Sequence, residues 1–190
     1  MPDAGRDAAV LEFWFGPAPG ERRKNWFAKD PGFDREIRDA FLEDYRRARS
    51  GALDGWREAP ESCLALVLLL DQFPRNMFRG APEAFAGDAQ ALAAARHAVV
   101  RSFDAGMAPE RRLFLYLPFE HSEHLEDQRE SLRLMEIVRG RPGLEGVFEY
   151  AECHLRVIER FGRFPHRNAI LGRPSTPEEL EFLAQPCSSF

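Results

Sequence analysis

The chain has 190 residues, of which 44% are hydrophobic and 30% charged, and carries a formal net charge of -5. That length suits one helical domain over residues 1–190, large enough to bury roughly 70% of its unfolded surface. The negative charge argues against a sequence-independent grip on nucleic acid or on an anionic membrane, and the longest apolar run, Cys63–Leu70, is far too short to span a bilayer.

Ala8–Phe15 reads as a short apolar helix stopped by Gly16-Pro17. The loop to Lys29 is rich in Pro and Gly, holds the solvated basic run Arg22-Arg23-Lys24 and is anchored by Trp26-Phe27. Asp30-Pro31 starts a helix, with Asp as the cap and Pro at the first helical position. Its apolar face is Phe33, Ile37, Phe41, Tyr45 and Ala48, and Gly51 ends it. Pro60 opens a helix whose Cys63–Leu70 segment is apolar on every side, which predicts a central, buried position. Phe73-Pro74 is read as its stop. Pro82 is expected to start a long Ala-rich helix to about Arg101, with Ala81 where a hydroxyl cap would be usual. Pro109 starts the next helix, carried through Pro118 to about Val138. A further helix, about Gly146–Phe161, presents Val147, Tyr150, His154, Val157 or Ile158, and Phe161, and stops at Gly162. Thr176-Pro177-Glu178-Glu179 has the pattern of a capping box and opens a short helix with Leu180 and Leu183. No segment alternates as a strand does. The reading is all-α, with seven or eight helices.

The chemistry concentrates in Leu113–Gln128. On one continuous helix, Leu113, Leu117, His121, Leu125, Gln128, Leu132 and Met135 share a face, apolar at both ends with an imidazole and a carboxamide between. Tyr116, Glu120, Glu123 and Asp127 form a ridge beside it. Like charges at helical spacing repel, and buried polar groups are costly without partners, so basic groups must come from elsewhere. Arg75, Arg163 and Arg167 are the candidates. Two of these lie in an internal echo. Phe73-Pro74-Arg75-Asn76 with Gly80 and Pro82 matches Phe164-Pro165-His166-Arg167-Asn168 with Gly172 and Pro174, at identical spacing from Arg-Asn onward. In each copy Pro is read as ending a helix and Asn as taking the left-handed turn. The arginine would face either an acid or a bound anion, since guanidinium grips carboxylate or phosphate at two points.

His121 and His124 suggest a metal, but their spacing is three rather than the four of H-E-x-x-H, and no paired Glu-x-x-His helices exist. No residue is assigned to a metal. There is no phosphate-binding loop, dinucleotide fingerprint or nucleophile elbow, and no cofactor is expected. The candidate acid–base residues are Glu120, His121 and Glu123. The candidate ligand-binding residues are Asp71, Gln72, Arg75, Asn76, Gln128, His166 and Arg167. Asp71, Arg75, Glu120, His121 and Glu123 are expected to converge, and Glu123→Gln, by relieving a repulsive ridge, to keep or raise the melting temperature. His97 and His154 are read as ordinary helix residues. Cys63, Cys153 and Cys187 lack any C-x-x-C pairing, and no secretory signal opens the chain, so a reducing cytoplasm is expected.

Phe13-Trp14-Phe15-Gly16, Asp71–Gly80, Leu115–Glu123 and the Arg160–Asn168 stretch resemble a bacterial family catalogued as domain of unknown function 924. The resemblance covers nearly the whole chain and implies a tetratricopeptide-like α-α superhelix. It carries no established activity or site residue. Three functions fit: a site for a small anionic molecule, binding or catalytic; a helical scaffold for a peptide or protein partner, on fold analogy; and a purely structural polar cluster. The first is favoured, because two arginine turns and a polar group inside an apolar face exceed what packing requires.

Overall fold

The computed structural model describes residues 5–17, 26–185 and 188; the Arg22-Arg23-Lys24 run and Cys187 lie outside them. All regular structure among the described residues is helical: α1 (Arg6–Phe15), α2 (Pro31–Arg49), α3 (Pro60–Leu70), α4 (Gln72–Met77), α5 (Asp88–Val100), α6 (Pro109–Glu120), α7 (Leu125–Met135), α8 (Val147–Phe161) and α9 (Pro177–Leu183). The chain's contacts group into two compact units, Met1–Arg79 with Glu83–Pro118, and Gly80–Pro82 with Phe119–Phe190. No helix among the described residues is long and apolar enough to cross a membrane.

The first unit is built around α3. Cys63 through Leu70 are all buried, as an all-apolar helix requires, and α3 packs against α1, α2 and α5. The predicted face of α2 is buried in full: Phe33, Ile37, Phe41, Tyr45 and Ala48. Asp30 caps that helix by accepting the N–H groups of Gly32 and Phe33. Aromatic rings fill the space beside α1. Trp14 lies edge-on to Phe114 at 5.3 Å, Trp26 lies edge-on to Phe114 at 4.7 Å, and the Trp26 Nε1 donates to the carbonyl of Trp14 at 2.8 Å. A buried indole N–H needs such an acceptor.

Two boundaries differ from expectation here. Phe73-Pro74 does not stop a helix; it lies in the first turn of α4, where a missing N–H costs nothing because that turn's donors have no intrahelical acceptor. The Ala-rich helix begins at Asp88 rather than Pro82, which opens a separate 3-10 turn, Pro82–Phe85. The residue before α5 makes a close approach: a Cβ on Gly87 would lie 2.1 Å from the carbonyl oxygen of Leu70. The chain can pass the end of α3 only through a glycine, and α5 starts directly after it. Ala91, Ala94, Ala95 and Ala98 are then buried along α5.

The second unit begins in α6, one residue after Pro118. The expected continuous helix to Val138 is two helices. Pro118 offers no N–H to the carbonyl of Phe114, and α6 survives it by only two residues. His121–His124 form a connection, and α7 starts after His124, whose backbone is extended. Gln128 folds back on the break, its Nε2 donating to the carbonyls of Glu120 at 2.7 Å and Ser122 at 2.6 Å. These are carbonyls that the ended helix leaves without intrahelical donors. α7 packs on α8, which buries Phe148, Ala151, His154, Val157 and Ile158. Tyr150, predicted on that face, is 59% exposed. The apolar stripe is centred on Ala151 and His154, and Tyr150 falls outside it.

Both halves of the Thr176–Glu179 capping box are formed. The echo holds at its glycines, with Gly80 at φ +76 and Gly172 at φ +67, both left-handed. It fails at the asparagines. Asn76 lies inside α4 and Asn168 is right-handed, because glycine four residues on adopts the left-handed conformation at no steric cost.

Gly87→Ala tests the close approach. It is expected to lower stability by about 1–3 kcal/mol or more, as overpacking against backbone does, read as a lowered denaturant midpoint.

Candidate functional site

The predicted site residues fall into two clusters, one in each unit. In the first, Arg75 Nη1 donates to the carbonyl of Asp71 at 2.6 Å and lies 3.2 Å from Asp71 Oδ1. Its two terminal nitrogens grip the Asp88 carboxylate at 2.9 and 3.1 Å. Gln72 Nε2 donates to Asp71 Oδ2 at 2.6 Å, and Asn76 Nδ2 to Asp34 Oδ1 at 2.7 Å. Arg79 holds the same Asp34 at 2.6 and 2.9 Å. Of the expected convergence, Arg75 with Asp71 is present. The arginine's two-point grip is spent on Asp88, the first residue of α5, so this cluster ties α4 to the starts of α5 and α2.

The second cluster is built on the end of α6, the His121–His124 connection, α8 and the Phe164–Arg173 segment. Glu120 and His154 are both buried, and His154 Nδ1 lies 3.1 Å from Glu120 Oε1. The same nitrogen is 2.8 Å from the carbonyl oxygen of Tyr150. A carbonyl only accepts, so Nδ1 carries the ring proton and Nε2 is the basic nitrogen of the neutral ring. Burial pushes the His154 pKa well below its ordinary 6.5, with further lowering from His121, Arg167 and His166, against a smaller rise from the Tyr150 carbonyl. Burial thus favours the neutral form of His154. His121 sits beside it, ring centroids 6.3 Å apart.

Phe164 packs on the same group. Its fully buried ring lies edge-on to His154 at 5.5 Å and 5.6 Å from the His166 ring, and the Arg167 guanidinium lies 4.5 Å from its centroid. Glu123 does not join Arg75. It forms a two-point pair with Arg173 at 2.8 and 2.9 Å and accepts the Phe164 N–H at 2.8 Å. Burial alone would raise the Glu123 pKa; the bonds from Arg173 and Phe164, with the charges of Arg173 and Arg167, outweigh it and hold it below the ordinary carboxylate range. The acid ridge is thus no row of repelling neighbours: Asp127 accepts from Ser122 at 2.7 Å and Glu120 faces His154. Gln128 is committed to the end of α6, as described. His124 is exposed at the start of α7.

The predicted H-x-x-H helix pair does not exist, since the helix ends before it. Among the described residues no group of three or more His, Cys, Asp or Glu side chains is placed to hold a metal ion. Cys63 is buried and its thiol is pushed up to about 11 by burial, which removes it as a nucleophile at neutral pH. Two residues of the second cluster escaped sequence reasoning. His154 carried a signal, an imidazole inside the apolar stripe of α8. Arg173 carried none, being 50 residues from Glu123.

The family model described as bacterial protein of unknown function (DUF924) matches residues 10–187. The chain belongs to the DUF924 family. A solved structure of a protein of unknown function from Agrobacterium tumefaciens is similar to this DUF924 member, at 41% identity and a TM-score of 0.85 over 95% of this chain and 98% of that one. No curated protein matches. In this DUF924 member the Phe-Trp-Phe-Gly motif supplies core aromatics, Asp71–Gly80 supplies the first polar cluster, and Leu115–Glu123 carries Glu120 and Glu123 into the second.

A second buried acid steadies the segment that follows Phe164. Glu179 accepts from Arg163 at 2.6 and 2.8 Å, from the Thr176 N–H at 2.7 Å and from Asn168 at 3.3 Å. Its pKa falls from 4.5 to about 2, chiefly through the Arg163 hydrogen bond. Glu123 and Glu179 are both lowered on folding, so their stabilisation is complete above the unfolded value near 4.5 and is lost as pH falls, toward about 2 for Glu179. Melting temperature should fall steeply below that value, and less steeply in Glu179→Gln. Glu123→Gln, expected from the sequence to be neutral or stabilising, should instead cost about 1–3 kcal/mol at pH 7, since it breaks a charge-assisted pair.

Proposed function

We propose that the second unit carries an acid–base site for a small anionic molecule, with His154 Nε2 as the base and Glu120 as the carboxylate that orients it. The observation that carries this reading is His154 Nδ1 held between Tyr150 O and Glu120 Oε1. A second acceptor on one ring nitrogen fixes the tautomer and directs basicity to the other, the arrangement by which a carboxylate prepares an imidazole for proton transfer. Burial and the neighbouring charges lower the His154 pKa, which keeps the Nε2 lone pair unprotonated and makes the resting ring a weaker base than a free imidazole. Arg167, with the half-buried His121 and His166, supplies donors and positive potential suited to a carboxylate or phosphate.

Glu123 is removed from the acid–base set and given a supporting role. Asp71, Gln72, Arg75 and Asn76 are given a structural one, since each is engaged within the first unit. We place the protein in a reducing cytoplasm, where Cys63 and Cys153 stand as thiols.

Two measurements test the reading. Long-range ¹⁵N NMR of the histidine rings should find His154 neutral at pH 7 with its proton on Nδ1. A thermal-shift screen of small carboxylates and phosphates should yield a stabilising anion, and Arg167→Met should abolish that shift. A cationic His154 at pH 7, or a panel of anions that leaves the transition unmoved, would sink it.

A further inference from the structure

The two peptide groups of Phe164 are both held by one ion pair. Glu123 Oε1 accepts the Phe164 N–H at 2.8 Å, and Arg173 Nη2 donates to the Phe164 carbonyl at 3.2 Å. The pair itself is closed at two points, Arg173 Nη1 to Glu123 Oε2 at 2.8 Å and Nη2 to Oε1 at 2.9 Å. One donor and one acceptor of the same residue are thus gripped by side chains that also grip each other. That geometry leaves Phe164 little rotational freedom about the chain.

The ring that is fixed in this way touches the site directly. It lies edge-on to His154, beside His166 and under the Arg167 guanidinium. Phe164, Pro165 and Arg167 are buried while His166 is half-buried. The 3-10 turn Pro165–Arg167 follows Phe164 without an intervening residue, and the Arg167 N–H donates back to the Phe164 carbonyl at 3.1 Å. A displacement of Phe164 therefore carries the imidazole contact, the cation–π contact and the start of the turn with it. Glu123 reaches the clamp from the connection that follows α6, three residues after Glu120. Arg173 reaches it from the far side of the Gly172 turn.

We infer that Glu123 and Arg173 are positioning residues, which act through Phe164 to set His154, His166 and Arg167 in place without touching a ligand themselves. The inference rests on the acid–base reading of His154. A clamp of this kind has a purpose beyond stability: a base and an anion-binding guanidinium are useful only at fixed separation, and misplacement of about 1 Å is costly to catalysis. The groups that face His154 and that the clamp would move or expose are Glu120, His121, His166 and Arg167.

The test reads the ring of His154 rather than fold stability. Its ¹⁵N titration would be followed in the full-length parent, in Glu123→Ala, in Arg173→Lys and in Thr176→Ala. The last removes a helix cap, at about 1 kcal/mol, without touching Phe164. In the clamp variants the His154 pKa is expected to move up toward its ordinary value near 6.5, because Phe164 no longer shields the ring from water. In Thr176→Ala the melting temperature should fall while the His154 titration stays that of the parent. Arg173→Lys keeps the charge and loses the two-point grip, so it reports even where Glu123→Ala does not fold. An unmoved His154 in a folded clamp variant, or an equal shift in Thr176→Ala, would overturn the positioning role. A parent His154 that already titrates at its ordinary value would instead overturn the acid–base reading beneath it.

Discussion

A carboxylate taken out of water must meet a donor, because an unpaired buried charge costs several kcal/mol. That constraint organises the polar half of this protein. Asp71 is buried and faces Arg75; Glu123 is gripped by Arg173; Glu179 is buried under Arg163. The Glu123–Arg173 and Glu179–Arg163 pairs join segments apart in sequence, so each closes part of the fold, while Asp71 and Arg75 lie one turn apart. Arg75 with Asp88 fixes where α5 leaves, and Glu179 ties the loop after α8 to the first turn of α9. Asp127, also buried, accepts from the Ser122 hydroxyl, and Glu120 faces His154. The His154 Nδ1 that meets Glu120 belongs to a ring whose pKa burial lowers.

Periodicity and punctuation made the helices legible. The α2 face, the all-apolar α3, the Asp30 cap and the Thr176 box are local features, decided by residues within two turns of one another. What could not be read were effects of tertiary approach. Nothing in the local sequence says that Gly87, the residue before α5, passes the Leu70 carbonyl. Nor does the sequence say that Phe73-Pro74 would be taken into a first turn rather than end a helix. The polar partners were the least legible. The acid ridge was rightly seen to need cations, but Arg173 owes its place to the fold of the Gly172 turn, and Arg75 is satisfied by Asp88 nearer in sequence.

The break after α6 shows how one wrong continuity propagates. Carrying the helix through Pro118 placed Glu120, Glu123 and Asp127 on a single ridge and His121 with Gln128 on a single face. The helix ends at Glu120 instead, and each of those side chains is redirected. Glu123 turns to Arg173, His121 lies beside His154, and Gln128 spends its amide on the carbonyls the break exposes. Of the residues singled out, Glu120, His121, Glu123, His166 and Arg167 lie in or against the second cluster. Their roles changed because roles depend on direction, and direction is set by where a helix stops.

The two arginine turns make the same point from the other side. Their sequences match from Arg-Asn to the proline, and their glycines share the left-handed conformation. Yet Arg75 meets two carboxylates and lies over the Phe85 ring, whereas Arg167 lies over the Phe164 ring with its charge felt by Glu123. An arginine held by two acids has its charge neutralised where it stands. One stacked on an aromatic ring is oriented by the ring's quadrupole. The matched turns therefore place one arginine in the frame of α4 and α5 and the other against the His154 group.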